Sequence, residues 1–205
     1  KLIKSWEASG TNVTGASDML PLEPQIELMK KVVPNLKSVG YVYSPGEVNS
    51  TVVLKELETK FKPMGISIVA APAQRTTDIS QATRGLQGKV QLIYTSLDNN
   101  VVSAYESLYQ AAKEIKVPLV ASDTDSVARG AVAAMGINYK DLGIETGKIV
   151  GRVLKGEKPG TIKPITMNKL DLYLSPKHAQ EVGITLPQEL ISQAAQVEPA
   201  PKAKQ

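Results

Sequence analysis

The densest cluster of reactive groups in this chain is Ser122-Asp123-Thr124-Asp125-Ser126, two carboxylates and three hydroxyls directly after the apolar run 117–121. Paired carboxylates do acid–base work when their pKa values are driven apart. In a dry pocket they also grip an ammonium group through charge-assisted hydrogen bonds. Asp123, the first acid after the run, suits the pocket, with Thr124 beside it; the other reading is that Ser122, Asp123 or Thr124 caps a short helix through Ala128. Asp125 suits equally the cap of a short helix through Ala128. A second cluster is Asp98-Asn99-Asn100. Here Asp98 either orients a ligand donor or caps a helix beginning at Val101. A third is the loop 44–50, with Ser44, Gly46, Glu47, Asn49 and Ser50. It binds a carboxylate through backbone N–H groups at a helix start, or it is an ordinary turn built on Pro45 and Gly46. Ser17 and Asp18 stand at the exit of "GTNVTGASD", and Asn138-Tyr139 at the exit of "GAVAAMGIN". Asn12-Val13-Thr14 has the form of a glycosylation triplet, a pattern of low specificity alone, and its segment reads as a strand. Tyr43, Tyr94 and Tyr139 are the aromatic residues at strand ends. They are too few for the stacking walls of a sugar groove, so acids, hydroxyls and one or two aromatics point to a small zwitterion.

Several chemistries are disfavoured. The chain has 205 residues, no cysteine and one histidine, which removes disulfides, thiolate nucleophiles and multi-His metal sites together. Neither G-x-G-x-x-G nor G-x-x-x-x-G-K-[ST] occurs, nor a G-x-S-x-G elbow. Asp123-x-Asp125 lacks the rest of an EF-hand loop. His178 falls on a late helix with no nucleophile beside it. The net charge is +4, spread without a basic cluster interleaved with aromatics, so nucleic acid is a poor partner. No metal or cofactor is expected. No apolar run approaches the roughly 20 residues of a membrane span. The opening Lys1-Leu2-Ile3-Lys4 reads as the middle of a helix, and processing or truncation is the expectation there.

The loops hang on a repeating rhythm of amphipathic helix, turn, apolar β-branched strand and polar loop. Helices are predicted over about 23–33, 50–64, 101–115 and 141–156, with others opening at Thr77 or Asp78 and at Ser175-Pro176. Gly65 ends the second. Strands are predicted at "SVGYVYS", "ISIVAAPA", "VQLIYTS", "VPLVAS" and "GAVAAMGIN", with "ITMNKLDLYLS" as an edge strand. Helices alternating with wholly apolar strands imply an α/β fold, a doubly wound parallel sheet covered on both faces. In such sheets ligands bind beyond the carboxyl ends of the strands, at the switch point. That rule gathers Ser17, Asp18, Ser44, Gly46, Glu47, Asn49, Asp98, Asn99, Asp123, Thr124 and Tyr139 into one candidate site.

The ordered blocks "NVTGASDMLPLEPQIELMKKVVPNLKSVGYVYSPGEVNS", "LIYTSLDNNVVSA", "VPLVASDTDSVARGAVAAMGINYKDLGIETGKIVGRVLKGEKP" and "KLDLYLSPKHAQEVGITLP" resemble the substrate-binding proteins of ABC transporters, in the tryptophan/tyrosine-type group. The likeness runs from about Trp6 to Leu190. It implies a type I periplasmic-binding-protein-like fold and an extracytoplasmic receptor, periplasmic or at the cell surface. Such a receptor has two lobes, closes on a small ligand, here an aromatic amino acid, and hands it to an ABC permease. Contact with the membrane is expected only through an anchor or that permease. The resemblance implies a second lobe over 20–138 plus 164–190, with 1–19 and 139–163 as remnants of a first lobe and its hinge crossings. It also implies a further lobe ahead of this sequence, and 196–205 reads as a disordered tail. Within the site, Asp123 is expected to take the ligand's ammonium group and Asp98 to act as a second acceptor. Ser44, Gly46 and Asn49 would supply donors, and Tyr139 or Tyr43 would flank an apolar side chain. Two other readings use the same residues: the effector domain of a transcription regulator, and an α/β enzyme working through Asp98 and Asp123.

Overall fold

The structure, a computed structural model, describes residues 3–167 and 169–198. The chain divides into two units, residues 1–21 with 137–170 and residues 22–136 with 171–205.

In chain order the elements are β1 (Ala16–Ser17), α1 (Leu22–Val32), β2 (Ser38–Tyr43), α2 (Val48–Phe61), β3 (Ser67–Pro72), α3 (Ile79–Arg84), β4 (Leu92–Thr95), α4 (Asn99–Ser103), α5 (Tyr105–Glu114), β5 (Leu119–Ala121), β6 (Ala133–Ile137), α6 (Tyr139–Leu154), β7 (Ile165–Thr166), β8 (Leu170–Leu174), α7 (Pro176–Glu181), α8 (Gln188–Gln193) and β9 (Gln196–Val197). Seven strands form one sheet in the order β3-β2-β4-β5-β6-β8-β9. Pairings β2·β3, β2·β4, β4·β5, β5·β6 and β8·β9 are all parallel. The chain moves outward from β2 to β3, then returns to the far side of β2 for β4, β5 and β6. The order therefore reverses between β2 and β4, and both exit loops open at that switch point.

Both sheet faces are covered, as strands buried on two sides require. On one face Val39, Tyr41, Leu92, Tyr94 and Val120 pack against α1, α2, α7 and α8 through Ile26, Met29, Leu57, Phe61, Ala179 and Leu190. On the other, Val42, Ile93, Leu119 and Ala121 meet Ile79 of α3, Val101 of α4 and Tyr105 and Leu108 of α5. Successive side chains of one strand thus divide between two cores, the period-two alternation of extended backbone. The doubly wound α/β sheet read from the sequence is the fold.

Several boundaries differ from expectation. The predicted helix 101–115 is two helices, because Ala104 leaves helical geometry at φ −109°, ψ 28°. The segment 165–175 is not one edge strand: β7 pairs with β1, and β8 lies inside the sheet between β6 and β9. Thr77 and Asp78 fall in a 3₁₀ turn ahead of α3, and the Asp78 carboxylate folds back on the Arg75 N–H at 3.1 Å. Gly65, at φ 65°, is the C-terminal cap expected of it, although the last turn it closes, Lys62–Met64, is 3₁₀ rather than α. Gln196 and Val197 pair with Tyr173 and Leu174, so the predicted disordered tail is ordered at its start. Its remainder, 199–205, lies outside the described residues.

In the smaller unit, β1 and β7 pair in parallel, Ala16 with Ile165 and Ser17 with Thr166. The Thr14 hydroxyl donates to the Ile162 carbonyl at 2.9 Å. Asn138 caps α6 by accepting from the Lys140 and Asp141 N–H groups at 3.0 and 3.2 Å.

Candidate ligand-binding site

The exit loops of β2 and β4 meet around one carboxylate. Asp98 has no exposed surface, and its two oxygens accept four hydrogen bonds. Oδ1 takes the Ser44 hydroxyl at 2.8 Å and the Val101 N–H at 3.1 Å. Oδ2 takes the Ser44 N–H and the Ser50 hydroxyl, both at 2.7 Å. The alternative in which Asp98 caps the following helix is therefore the one the structure adopts, with α4 as that helix. As a direct second acceptor for a ligand, Asp98 is corrected: its oxygens are enclosed and already occupied.

The residues around it tie the same two loops together. Glu47 accepts from the Asn99 N–H at 3.1 and 3.2 Å and from the Asn99 side chain at 3.1 Å. Asn49 donates to the Leu97 carbonyl at 2.8 Å. Asn100 donates to the Ser44 hydroxyl at 3.0 Å and to the Gln74 carbonyl at 3.1 Å. The Glu47 N–H donates to the Ser44 carbonyl at 3.0 Å, closing a tight turn over Pro45 and exposed Gly46. The turn reading of that loop thus holds, while α2 itself begins with no side-chain cap. Such a helix start leaves backbone N–H groups without intrahelical acceptors.

Beneath these loops the Tyr41 hydroxyl hydrogen-bonds the Ser96 hydroxyl at 2.6 Å and donates to the Ser50 carbonyl at 3.2 Å. Its ring stacks between Tyr43 and Tyr94, at centroid distances of 5.6 and 6.3 Å. Burial pushes the Tyr41 hydroxyl's pKa well above its ordinary value, against the opposing hydrogen bond from Ser96.

The β5 exit is built differently. Asp123 is half-buried and caps a 3₁₀ turn, accepting from the Asp125 N–H at 3.1 Å and the Ser126 hydroxyl at 2.8 Å. Capping therefore falls to Asp123, and the expectation that Asp125 serves as the cap is corrected: Asp125 is an exposed residue inside the turn. Asp123 accepts one bond on each oxygen, so lone pairs remain on both. Gly136 of β6 lets this loop approach. A Cβ there would lie 2.8 Å from the Ser122 carbonyl oxygen and 3.3 Å from the Thr124 nitrogen. Just beyond the turn, Arg129 donates to both Glu106 oxygens at 2.7 Å and to the Val102 carbonyl at 2.8 Å, fixing the loop's far end to α4 and α5.

Of the eleven residues singled out in the sequence, Ser44, Gly46, Glu47, Asn49, Asp98 and Asn99 come together at the switch point. Asp123 and Thr124 sit at the next strand end. Ser17, Asp18 and Tyr139 belong to the other unit. There the Ser17 hydroxyl accepts from the Met19 N–H at 3.1 Å, Asp18 is exposed, and Tyr139 opens α6 with about half its surface exposed. Sequence reasoning missed Asn100 and Ser50 as structural partners of Ser44 and Asp98. Their polar side chains beside named loop residues were the available signal. The Arg129–Glu106 pair had none, since charges 23 residues apart carry no mark of pairing. His178 is buried on α7, with Nδ1 3.0 Å from Glu181, which also pairs with Lys113 at 3.2 Å and accepts from the Tyr109 hydroxyl. Partial burial pushes Glu181 upward, but the hydrogen bonds from Tyr109, His178 and Lys113 outweigh it and hold the carboxyl at about 2.

Residues 1–198 match the family model described as ABC transporter substrate binding protein. A tyrosine-binding protein of Clostridioides difficile is 33% identical over 174 residues, 85% of this chain and 50% of that protein. The chain thus spans about half the length of that relative. A conserved domain protein of Vibrio cholerae superposes with a TM-score of 0.92 at 36% identity, covering 96% of this chain and 67% of that one. An ABC domain from Streptococcus pneumonia, solved in complex with L-Trp, superposes with a TM-score of 0.88 at 32% identity, covering 96% and 68%. These likenesses favour the receptor reading over the regulator and enzyme readings, and the family is one of substrate-binding proteins rather than enzymes. With its doubly wound sheet and polar switch-point loops, the chain belongs to the ABC transporter substrate-binding protein family.

Proposed function

We propose that this chain forms the ligand-gripping part of an extracytoplasmic receptor that binds an aromatic amino acid by hinge closure and delivers it to an ABC permease. The observation that carries the reading is the gathering of polar loops at the carboxyl edge of the sheet, at the β2/β4 switch point and the neighbouring β5 exit. Asp123, half-buried with lone pairs to spare, takes the ammonium group. The uncapped first turn of α2 offers backbone N–H groups to the carboxylate. Tyr43, half-buried and stacked on Tyr41, supplies an aromatic face. The choice of an aromatic ligand is supported by the tyrosine-binding relative and by the homologous domain solved with L-Trp. Among the described residues no helix is long and apolar enough to cross a membrane, and attachment to one is proposed through an anchor or the permease.

A thermal-shift screen of the full protein against the twenty amino acids tests this. L-Trp or L-Tyr is expected to raise Tm, since a ligand at 100 times its Kd stabilises by about 2.7 kcal/mol. No shift with any amino acid rejects the reading.

A further inference from the structure

We propose that Asp98 is a positioning residue that turns two separate exit loops into one preformed wall of the ligand site. The inference rests on the amino-acid-binding reading above and assigns Asp98 a role apart from ligand contact. Its carboxylate is fully enclosed, and its four donors come from three places: Ser44 after β2, Ser50 in the first turn of α2, and Val101 in α4. The β2/β4 switch point cannot be bridged by backbone pairing beyond the strand ends, so side chains must do it. Asp98 is the innermost bridge. Glu47 to Asn99, Asn49 to the Leu97 carbonyl, and Asn100 to the Ser44 hydroxyl repeat the connection farther out. A ligand meeting this wall does not have to order it, and the ordering cost is removed from the binding free energy.

The chemistry of the site requires a carboxylate. Oδ2 faces the Ser44 N–H and Oδ1 faces the Val101 N–H. Both donors are fixed backbone groups that cannot turn away. In Asp98→Asn either amide orientation points an NH₂ at one of them, so one loop is released whichever way the side chain sits. Ser44→Ala and Ser50→Ala each remove one hydroxyl donor and keep both backbone donors on the carboxylate.

The test measures amide hydrogen exchange and L-Trp and L-Tyr affinity on the full protein, well below its unfolding temperature, for wild type, Asp98→Asn, Ser44→Ala and Ser50→Ala. Exchange is expected to accelerate at Ser44 or at Val101, whichever N–H meets the amide NH₂ in Asp98→Asn, while Val120 and Ala121 of β5 keep wild-type protection. Affinity is expected to fall about tenfold or more, as for a hydrogen bond lost to a charged group, with smaller losses in the two serine variants. A residue that merely stabilised the fold would lower Tm and leave the affinity of the folded protein unchanged. Unchanged exchange at Ser44 and Val101, or accelerated exchange with unchanged affinity, overturns the proposal. If Asp98→Asn does not fold, the serine variants decide: wild-type exchange and affinity in both overturn it. If the wild-type protein binds neither amino acid, the amino-acid reading is rejected, and the exchange result alone decides whether Asp98 holds the loops.

Discussion

Gly130 gives the sharpest stability prediction. Its φ is +133°, a region that L side chains rarely adopt. A Cβ built there would lie 2.3, 2.4 and 2.6 Å from Cγ, Cδ2 and Cβ of Tyr109. Non-bonded carbons rest about 3.5–4.0 Å apart, so the ring would have to withdraw by about 1 Å. It is not free to do so. The Tyr109 hydroxyl donates to Glu181, its ring meets His178 edge-on at 5.0 Å, and Lys113 Nζ lies 5.6 Å from its centroid. For Gly130→Ala, overpacking contributes about 1–3 kcal/mol of destabilisation, and backbone strain another 1–3 kcal/mol or so. The stiffer unfolded chain returns about 0.4–1 kcal/mol. The net loss is about 1–5 kcal/mol, read from urea unfolding as a lower midpoint at constant m. A double-mutant cycle separates the two contributions. In a Tyr109→Gly background, which removes Cβ as well as the ring, the clash is gone, and the cost of Gly130→Ala should fall by about 1–3 kcal/mol to the strain alone. Identical costs in both backgrounds would refute the packing argument, and a wild-type midpoint would refute the whole account of Gly130.

Two further expectations concern buried and paired groups, beside the Asp98 experiment. Tyr41→Phe removes a hydroxyl shared by Ser96 and the Ser50 carbonyl, and should destabilise by about 1–2 kcal/mol in urea titration; no change would mean that these bonds contribute nothing net. Glu181 is held at about 2 from an ordinary 4.5. A depressed carboxyl contributes stability that is present above the ordinary value and lost as pH falls through the folded one. Stability should therefore decline between about pH 5 and 2, and decline less in Glu181→Gln; parallel profiles for the two proteins would contradict the ion-pair network.

The sheet was legible because its central strands are apolar on both faces, and β2, β3, β4 and β6 are each followed by a helix. Tyr41 and Val42, adjacent in sequence, go to opposite cores, which only a doubly covered strand allows. The positions of the polar loops followed from the topology. Which acids were occupied did not. Asp98 draws on Ser44 and Ser50, 54 and 48 residues away, and no local pattern marks such partners. Asp123 and Asp125 stand two positions apart in one tight turn, the first as the extended residue ahead of it and the second inside it, and the sequence does not say which is which. The break at Ala104 and the interior place of β8 were hidden for a related reason. Helical periodicity passes through one non-helical residue unmarked, and an alternating strand looks the same at an edge as beside a short outer strand.

The central claim is that the rim of this sheet holds an amino acid through Asp123. Isothermal titration of the full protein with L-Trp and L-Tyr, wild type against Asp123→Asn, tests it most directly. Asn keeps a side-chain oxygen for the Asp125 N–H that Asp123 now accepts at 3.1 Å, and its NH₂ can donate to the Ser126 hydroxyl, which rotates to accept, so the turn is retained while the charge is removed. The account predicts one-site binding by wild type and about a ten- to hundredfold weaker affinity in the variant, the worth of a hydrogen bond to a charged group. Equal affinity in the two proteins would contradict it.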